Sequence, residues 1–260
     1  MMRDGQRVAL VTGATSGIGL AVARRLATDG LAVYLCARTA DNVALTVKNL
    51  TDEGHAVDGQ ACDVRDSKAI AALVEAAVAR FGPIDVLVNN AGRNGGGVTA
   101  EISDDLWNEV IDTNLNSVFR VTRQVLAAGG LAGPHGRIVN IASTGGKQGV
   151  MLGAPYSAAK HGVVGFTKAL GLELAKSGIT VNAVCPGYAE TPMAQRVRRG
   201  YAEHWGITED EVLQRFQTKI PLGRYTEPDE VAAMVAYLAS EPAAAVTAQA
   251  LNVCGGLGNY

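Results

Sequence analysis

The sequence predicts an α/β protein built on one doubly wound parallel sheet of about seven strands. Two observations carry that expectation. Short apolar runs rich in Val, Ile, Ala and Cys recur along the chain and alternate with amphipathic stretches, the pattern of strands buried on both faces and joined by helices. The first such run passes directly into a glycine-rich turn and then into a helical stretch. At 260 residues the chain suits a single domain, read here as 1–260, with a sizeable core. The 31 glycines fall mostly at strand-to-helix turns, and neither an internal repeat nor a linker divides the chain.

The first strand is read over Arg7–Val11, β-branched and apolar. TGATSGIG follows from Thr12 to Gly19, and a helix from Leu20 to about Asp29 stops at Gly30. In such a unit Gly13 supplies an unusual backbone dihedral, Gly17 admits close approach of a pyrophosphate and Gly19 allows tight helix packing. The N–H groups at the helix start then face phosphates. The second strand, Ala32–Ala37, ends at Arg38, nineteen residues past Gly19. An acidic residue there would hold the ribose 2′-hydroxyl of NAD, whereas arginine suits the 2′-phosphate of NADP. The cofactor is therefore read as NADPH/NADP+, the alternative being a solvated loop arginine. Asp41 is read as a helix N-cap with Asn42 beginning the helix.

Further strands are expected at Ala56–Cys62, Ile84–Asn89, Arg137–Ala142, Thr180–Val184 and Ala250–Val253, with helices around Asp104–Leu126 and Tyr156–Lys176. The stretch 188–225 is too long for a simple connection. It reads as two amphipathic helices, near Met193–Trp205 and Thr208–Thr218, inserted as a helical lid beyond the carboxyl ends of the strands, where ligands of such sheets bind. Tyr201 and Trp205 either line a substrate pocket or pack the lid onto the body.

Composition excludes several classes. The net charge of −2, from 23 basic and 25 acidic residues, argues against nucleic-acid and membrane-surface binding. No apolar stretch reaches the ~20 residues of a membrane span, and the N-terminus leaves no room for a signal peptide, so a cytoplasmic location is expected. Cys36, Cys62, Cys185 and Cys254 sit in or at the ends of expected strands without metal-ligand spacing and read as small buried hydrophobes. The four histidines are scattered, and no metal site is expected.

Tyr156 and Lys160 stand one helical turn apart, with Ser143 thirteen residues before the tyrosine. Residues four apart share a helix face, and a nearby ammonium lowers a phenol pKa from its usual ~10. The pair alone is weak, since Tyr and Lys fall four apart in many helices. Its context is not ordinary. The glycine spacing is G-x-x-x-G-x-G, not G-x-G-x-x-G. With Asn89-Asn90-Ala91-Gly92, Ser143, Tyr156 and Lys160, it resembles the short-chain dehydrogenase/reductase family over essentially the whole chain. That resemblance implies a Rossmann-like fold and a catalytic set of Asn114, Ser143, Tyr156 and Lys160. Asn114 would bend its helix and hold a water leading to the lysine. Cofactor contacts would come from Thr12, Gly13, Ser16, Gly17, Ile18, Gly19, Arg38, Asp63, Val64, Asn90, Ala91 and Gly92. Tyr156, Lys160, Pro186, Gly187 and Thr191 would complete the cofactor site.

A narrower resemblance lies in RNGGG at Arg93–Gly97, STGGKQGV at Ser143–Val150, the PGYAETPMA stretch and the terminal ALNVCGGLGNY. These are similar to actinorhodin-type polyketide ketoreductases. The resemblance implies NADPH-dependent reduction of one ketone, typically at C9, of a carrier-protein-bound aromatic polyketide. Substrate and stereochemical control would rest on Asn94, Gly95, Gly96, Thr144, Gln148 and Val150, with Tyr201 and Trp205. Asn94 stands where the actinorhodin enzyme carries proline, restoring an N–H donor and backbone freedom. An acidic acyl carrier protein would dock through Arg38, Arg65 and Arg93, or else Arg38 holds the NADP phosphate and the others are solvated. A homotetramer pairing through the two long helices is expected by the same resemblance. The rival readings are a 3-oxoacyl-carrier-protein reductase and a non-catalytic NADP-binding regulator.

Overall fold

A computed structural model describes residues 5–128, 130–131, 133–258 and 260. Asn259, part of the terminal stretch singled out in the sequence, lies outside the described residues. Seven strands form among the described residues: β1 (Val8–Thr12), β2 (Ala32–Ala37), β3 (Val57–Ala61), β4 (Val86–Asn89), β5 (Arg137–Ile141), β6 (Thr180–Pro186) and β7 (Ala250–Val253). All pair in parallel, in the order β3-β2-β1-β4-β5-β6-β7. Between and after them lie α1 (Gly17–Thr28), α2 (Ala40–Asp52), α3 (Ser67–Phe81), α4 (Asp104–Ile111) and α5 (Ser117–Ala127). The later helices are α6 (Ala154–Leu174), α7 (Pro192–Trp205), α8 (Glu209–Gln217) and α9 (Pro228–Ala239).

Successive strand side chains point to opposite faces, and here both faces are apolar. Ala9 and Val11 of β1 pack with α1, α2 and α9, while Val8 and Leu10 pack with α3, α5 and α6. This double coverage is why the strand runs look continuously hydrophobic instead of alternating. The strand order reverses beside β1, so the ends of β1 and β4 open onto one crevice at the carboxyl edge, the place where such sheets bind ligands.

Three local expectations are corrected. Helix α1 begins at Gly17, three residues before the amphipathic pattern starts, so the last turn glycines belong to its first turn. Asp41 is not an N-cap: α2 starts at Ala40 after Thr39, leaving Asp41 inside the first turn, where its charge complements the helix dipole. The stretch 104–126 is not one regular helix. It widens into a π-helical turn at Asp112–Asn116 between α4 and α5, a feature frequent at functional sites.

The stretch read as a lid forms the two expected helices, α7 and α8, around a small core of Ala202, Val212, Phe216, Ile220 and Tyr225. Thr208 and Glu211 form a reciprocal capping box at the start of α8. The base of α7 is held to the preceding loop by a bidentate pair, Arg198 to Glu190 at 2.8 and 2.9 Å. The Arg198 guanidinium also lies over the Tyr225 ring. All four cysteines are free and buried. Among the described residues no helix is long and apolar enough to cross a membrane, and no three His, Cys, Asp or Glu gather as metal ligands.

Candidate active site

A cleft of about 1000 Å³ runs along the carboxyl edge of the sheet, from the β1–α1 turn to the lid. At one end the backbone itself forms the cradle. Gly13 has φ +65°, and a Cβ there would lie 2.8 Å from the Ala91 Cα. A Cβ on Gly19 would lie 2.2 Å from the Gly13 carbonyl oxygen. The turn is therefore closed to side chains, and it leaves the N–H groups at the start of α1 available to an anion. Asn90 ties the end of β4 to this turn: its amide donates to the Thr12 and Gly13 carbonyls at 3.0 and 2.9 Å.

Most of the residues expected at a cofactor line this cleft: Gly13, Ser16, Gly17, Ile18, Gly19, Arg38, Asp63, Val64, Asn90, Ala91, Gly92, Pro186, Gly187 and Thr191. Thr12 does not. It is buried, and its Oγ1 accepts hydrogen bonds from the Asn90 and Ala91 N–H groups, both at 3.0 Å. The side chain sets the β1–β4 junction from beneath instead of touching a ligand. Arg38 is exposed at the cleft wall, and the adjacent Asp63 is bound by Arg65 at 2.6 Å. That leaves Arg38 without a carboxylate partner among the described residues. A cradle that excludes Cβ atoms and an unpaired arginine beyond β2 together fit a 2′-phosphorylated dinucleotide.

Ser143, just past β5, and Tyr156 and Lys160, on α6, line the middle of the same cleft. Ser143 Oγ accepts from the Gly145 N–H at 2.9 Å, which leaves its O–H free to donate. Lys160 Nζ donates to the Ile141 carbonyl at 2.7 Å and lies 5.8 Å from the Tyr156 ring centroid. Burial pushes the Tyr156 phenol up, and the Ser143 hydroxyl pulls it partly back. The expectation that Lys160 lowers the phenol is thus corrected: burial dominates, and Ser143 is the group that opposes it. Burial also pushes the lysine itself down, to about 8.

Asn114 also lines the cleft, yet its side chain is fully buried. Its amide donates to the Arg93 and Val110 carbonyls at 3.0 and 2.9 Å, and its Oδ1 accepts from the Arg93 N–H at 3.1 Å. It joins the π turn to the 92–97 loop. This coupling has no signature in hydrophobic periodicity.

Of the residues expected to meet a substrate, Asn94, Gly95, Gly96, Thr144, Gln148, Val150 and Tyr201 line the cleft. Gly96 leaves no room for a side chain, since a Cβ would fall 1.8 Å from the Leu152 carbonyl oxygen. Trp205 is a correction. It does not line the cleft but packs inside the lid, 4.8 Å from the Tyr201 ring and 6.0 Å from that of Phe216. Tyr201 does both: besides this packing, its hydroxyl donates to the Met151 carbonyl at 2.5 Å, linking lid to body across the cleft mouth. Tyr188 and Phe216, which stack at 4.5 Å and also line the cleft, were not singled out from sequence. Their aromatic spacing reads equally as core.

Arg38, Arg65 and Arg93 all line the cleft, as expected of one rim. Their charges are not equally available. Arg65 pairs with Asp63 and, at 3.5 Å, with Glu109, and Arg93 pairs with the same Glu109.

Residues 7–202 match the short chain dehydrogenase family. The whole chain is 66% identical, over 261 residues covering 100% of both proteins, to a Streptomyces virginiae protein named as the ketoacyl reductase of the monensin polyketide synthase. A solved structure of a variant of actinorhodin polyketide ketoreductase with NADPH superposes with a TM-score of 0.96 at 62% identity, covering 100% of both chains. Similarity to a 3-oxoacyl-[acyl-carrier-protein] reductase of Escherichia coli is lower, 39% over 96% of this chain and 97% of that protein.

Proposed function

Because this chain belongs to the short-chain dehydrogenase family, we propose that it is an NADPH-dependent ketoreductase acting on a carrier-protein-bound aromatic polyketide, with the C9 ketone as its target. The observation that carries the chemistry is convergence: Ser143, Tyr156 and Lys160 share one cleft with the phosphate cradle and Arg38. The full-length identity of 66%, against 39% for the fatty-acid-type reductase, favours the polyketide substrate over a linear chain.

When bound, NADPH supplies the hydride. The N–H groups of the β1–α1 turn would hold its pyrophosphate, Arg38 would hold the 2′-phosphate, and Lys160 would hydrogen-bond the nicotinamide ribose. The free O–H of Ser143 donates to the ketone oxygen and stabilises the charge that builds there. Tyr156 donates its proton to that oxygen as it becomes the alcohol. A phenol kept protonated by burial suits the reductive direction, in which it must begin as an acid. Lys160, pushed to about 8, exchanges protons near neutrality and replenishes the tyrosine.

Tyr188 and Tyr201 supply apolar walls on the lid side, backed by the buried Phe216, matched to an aromatic or cyclising chain. Asn94 retains the N–H that proline lacks, and its carbonyl accepts from Arg93 Nε at 3.0 Å. We assign it to the face of hydride attack. The same reading places a homotetramer in the cytoplasm and brings the acyl carrier protein to the cleft mouth, where Arg65 and Arg93 present charge reduced by Asp63 and Glu109.

The test is single-turnover reduction of a carrier-bound polyketide surrogate with NADPH, followed by chiral analysis of the alcohol. One regioisomer and one enantiomer are expected. Slow, unselective reduction beside efficient turnover of a linear 3-oxoacyl chain would replace this reading with the fatty-acid one.

A further inference from the structure

A tethered substrate must leave the cleft by an end that the cofactor does not fill. The residues assigned to the dinucleotide run from the β1–α1 turn through Arg38, Asp63 and Val64 at one end, and through Pro186, Gly187 and Thr191 they reach the start of α7. The opposite end lies between the 93–97 and 148–153 loops and the lid. The arm that carries the substrate therefore passes along α7 and the end of α8.

The charges on the two rims differ. Away from the lid, Arg65 and Arg93 face Asp63 and Glu109 in mutual ion pairs, a set with no net charge, and the unpaired Arg38 is assigned to the 2′-phosphate. On the lid side, Arg196 and Lys219 line the cleft, are exposed, and enter neither an ion pair nor a side-chain hydrogen bond among the described residues. The other arginines of α7 are committed elsewhere, Arg198 to Glu190 and Arg199 to Glu209. Among the cleft-lining residues the one carboxylate is Asp63, already bound by Arg65 at the far rim. His204, two turns beyond Arg196 on the same face of α7, also lines the opening. Glu203 beside it does not. Besides Arg38, assigned to the 2′-phosphate, and the buried Lys160, Arg196 and Lys219 are thus the cleft-lining cations without an ion pair among the described residues, and the Lys219 ammonium rests 5.6 Å from the Phe216 ring centroid.

Resting on the ketoreductase reading above, we propose that Arg196 and Lys219 form the binding site for the phosphodiester of the phosphopantetheine arm. Arginine binds phosphate oxygens through a planar fork, and lysine adds a mobile point charge. Unpaired cations at a cleft mouth also raise the encounter rate of an anionic ligand, and salt screens the effect. The lid thereby reads the tether while the middle of the cleft reads the ketone, a division that lets chain length vary without moving the anchor.

The experiment compares wild type with the Arg196→Gln/Lys219→Gln double variant on four ketones. These are trans-1-decalone, a β-ketoacyl pantetheine thioester, its phosphopantetheine counterpart, and the same chain on the carrier protein. The expected result is a loss in kcat/KM on the order of tenfold or more for the two substrates that bear the phosphate, a monoester in the free phosphopantetheine thioester and a diester on the carrier. Decalone and the phosphate-free thioester should change less than about twofold, since uncharged ligands gain nothing from steering. Equal losses on all four would assign the two cations to lid packing and overturn the proposal. So would no loss on any. A loss confined to the carrier-bound chain would assign them to acidic side chains of the carrier and overturn the phosphodiester site. Wild type that reduces none of the four would sink the ketoreductase reading, and this inference with it.

Discussion

Tyr156 and Lys160 show how far burial, and not adjacency, sets the chemistry of a pair. Removing the phenolic hydroxyl in Tyr156→Phe should lower single-turnover reduction by about 10²–10⁴, with NADPH affinity retained in a fluorescence titration. Near wild-type turnover would end the acid role. Lys160 carries a pH signature. Its folded value of about 8 lies below the ordinary 10.5, so between those limits the unfolded chain binds more protons than the folded one. Stability from this group therefore rises with pH across 8 to 10.5, and below 8 the buried ammonium exacts its full penalty, on the order of 3 kcal/mol. In urea titrations of the cofactor-free protein, wild type should gain on Lys160→Met by up to that amount over the window. Tyr156 titrates in both proteins and cancels from the difference, so a flat difference would refute the assignment. At this scale the sequence was informative where spacing is local: one helical turn sufficed to unite Tyr156 with Lys160. It placed Thr12 at the cofactor and left Trp205 open between pocket and lid core, because whether a side chain faces a cleft or a core depends on neighbours far along the chain. It could not see that Arg65 shares its charge with Glu109, 44 residues away.

At the scale of elements, the junction of α4 and α5 matters most. A regular helix through 104–126 would pair every backbone carbonyl four residues on; the π turn at Asp112–Asn116 changes that register. Asn114 then engages both the N–H and the carbonyl of Arg93, so the helix holds the loop that carries Asn94 to Gly97. In Asn114→Ala these backbone groups lose their partners, at about 1–3 kcal/mol for each group left buried and unsatisfied. The expected outcome is a lower melting temperature together with reduced kcat. Asn114→Asp should recover the bond from the Arg93 N–H but neither donor bond, and so restore only part of the loss. A variant with full activity and unchanged melting would detach this element from the site. The lid was legible as two helices because its capping and amphipathic signals are local. Its internal Arg198–Glu190 pair and its attachment through Tyr201–Met151 were not.

For the whole molecule, stability rests on the doubly covered sheet. Leu10 is fully buried between β1 and the α3–α5–α6 layer, and Leu10→Ala should cost about 2–5 kcal/mol, read as a shifted urea midpoint at unchanged slope. Trp107, Phe119 and Leu172, by contrast, are 41, 46 and 73% exposed on α4, α5 and α6, the helices through which the tetramer is proposed to pair. Phe119→Asp should therefore shift sedimentation to a smaller species, at a cost of about 0.5–1.5 kcal/mol to the chain from its lost edge-to-face pair with Phe166. A wild-type monomer at working concentration would remove the assembly. The sequence by itself determined the alternation of strands and helices, the phosphate-binding turn and the choice of a 2′-phosphorylated cofactor, while the Ser–Tyr–Lys set came from the family resemblance. The first three follow from residues close in the chain, where helical and extended periodicities and glycine's conformational freedom operate. Only the tertiary structure decided that Thr12 and Trp205 are supports, that Asn114 joins a π turn to a loop, and which arginines remain unpaired. Those outcomes depend on burial and on charges brought together from distant segments, and packing alone sets them.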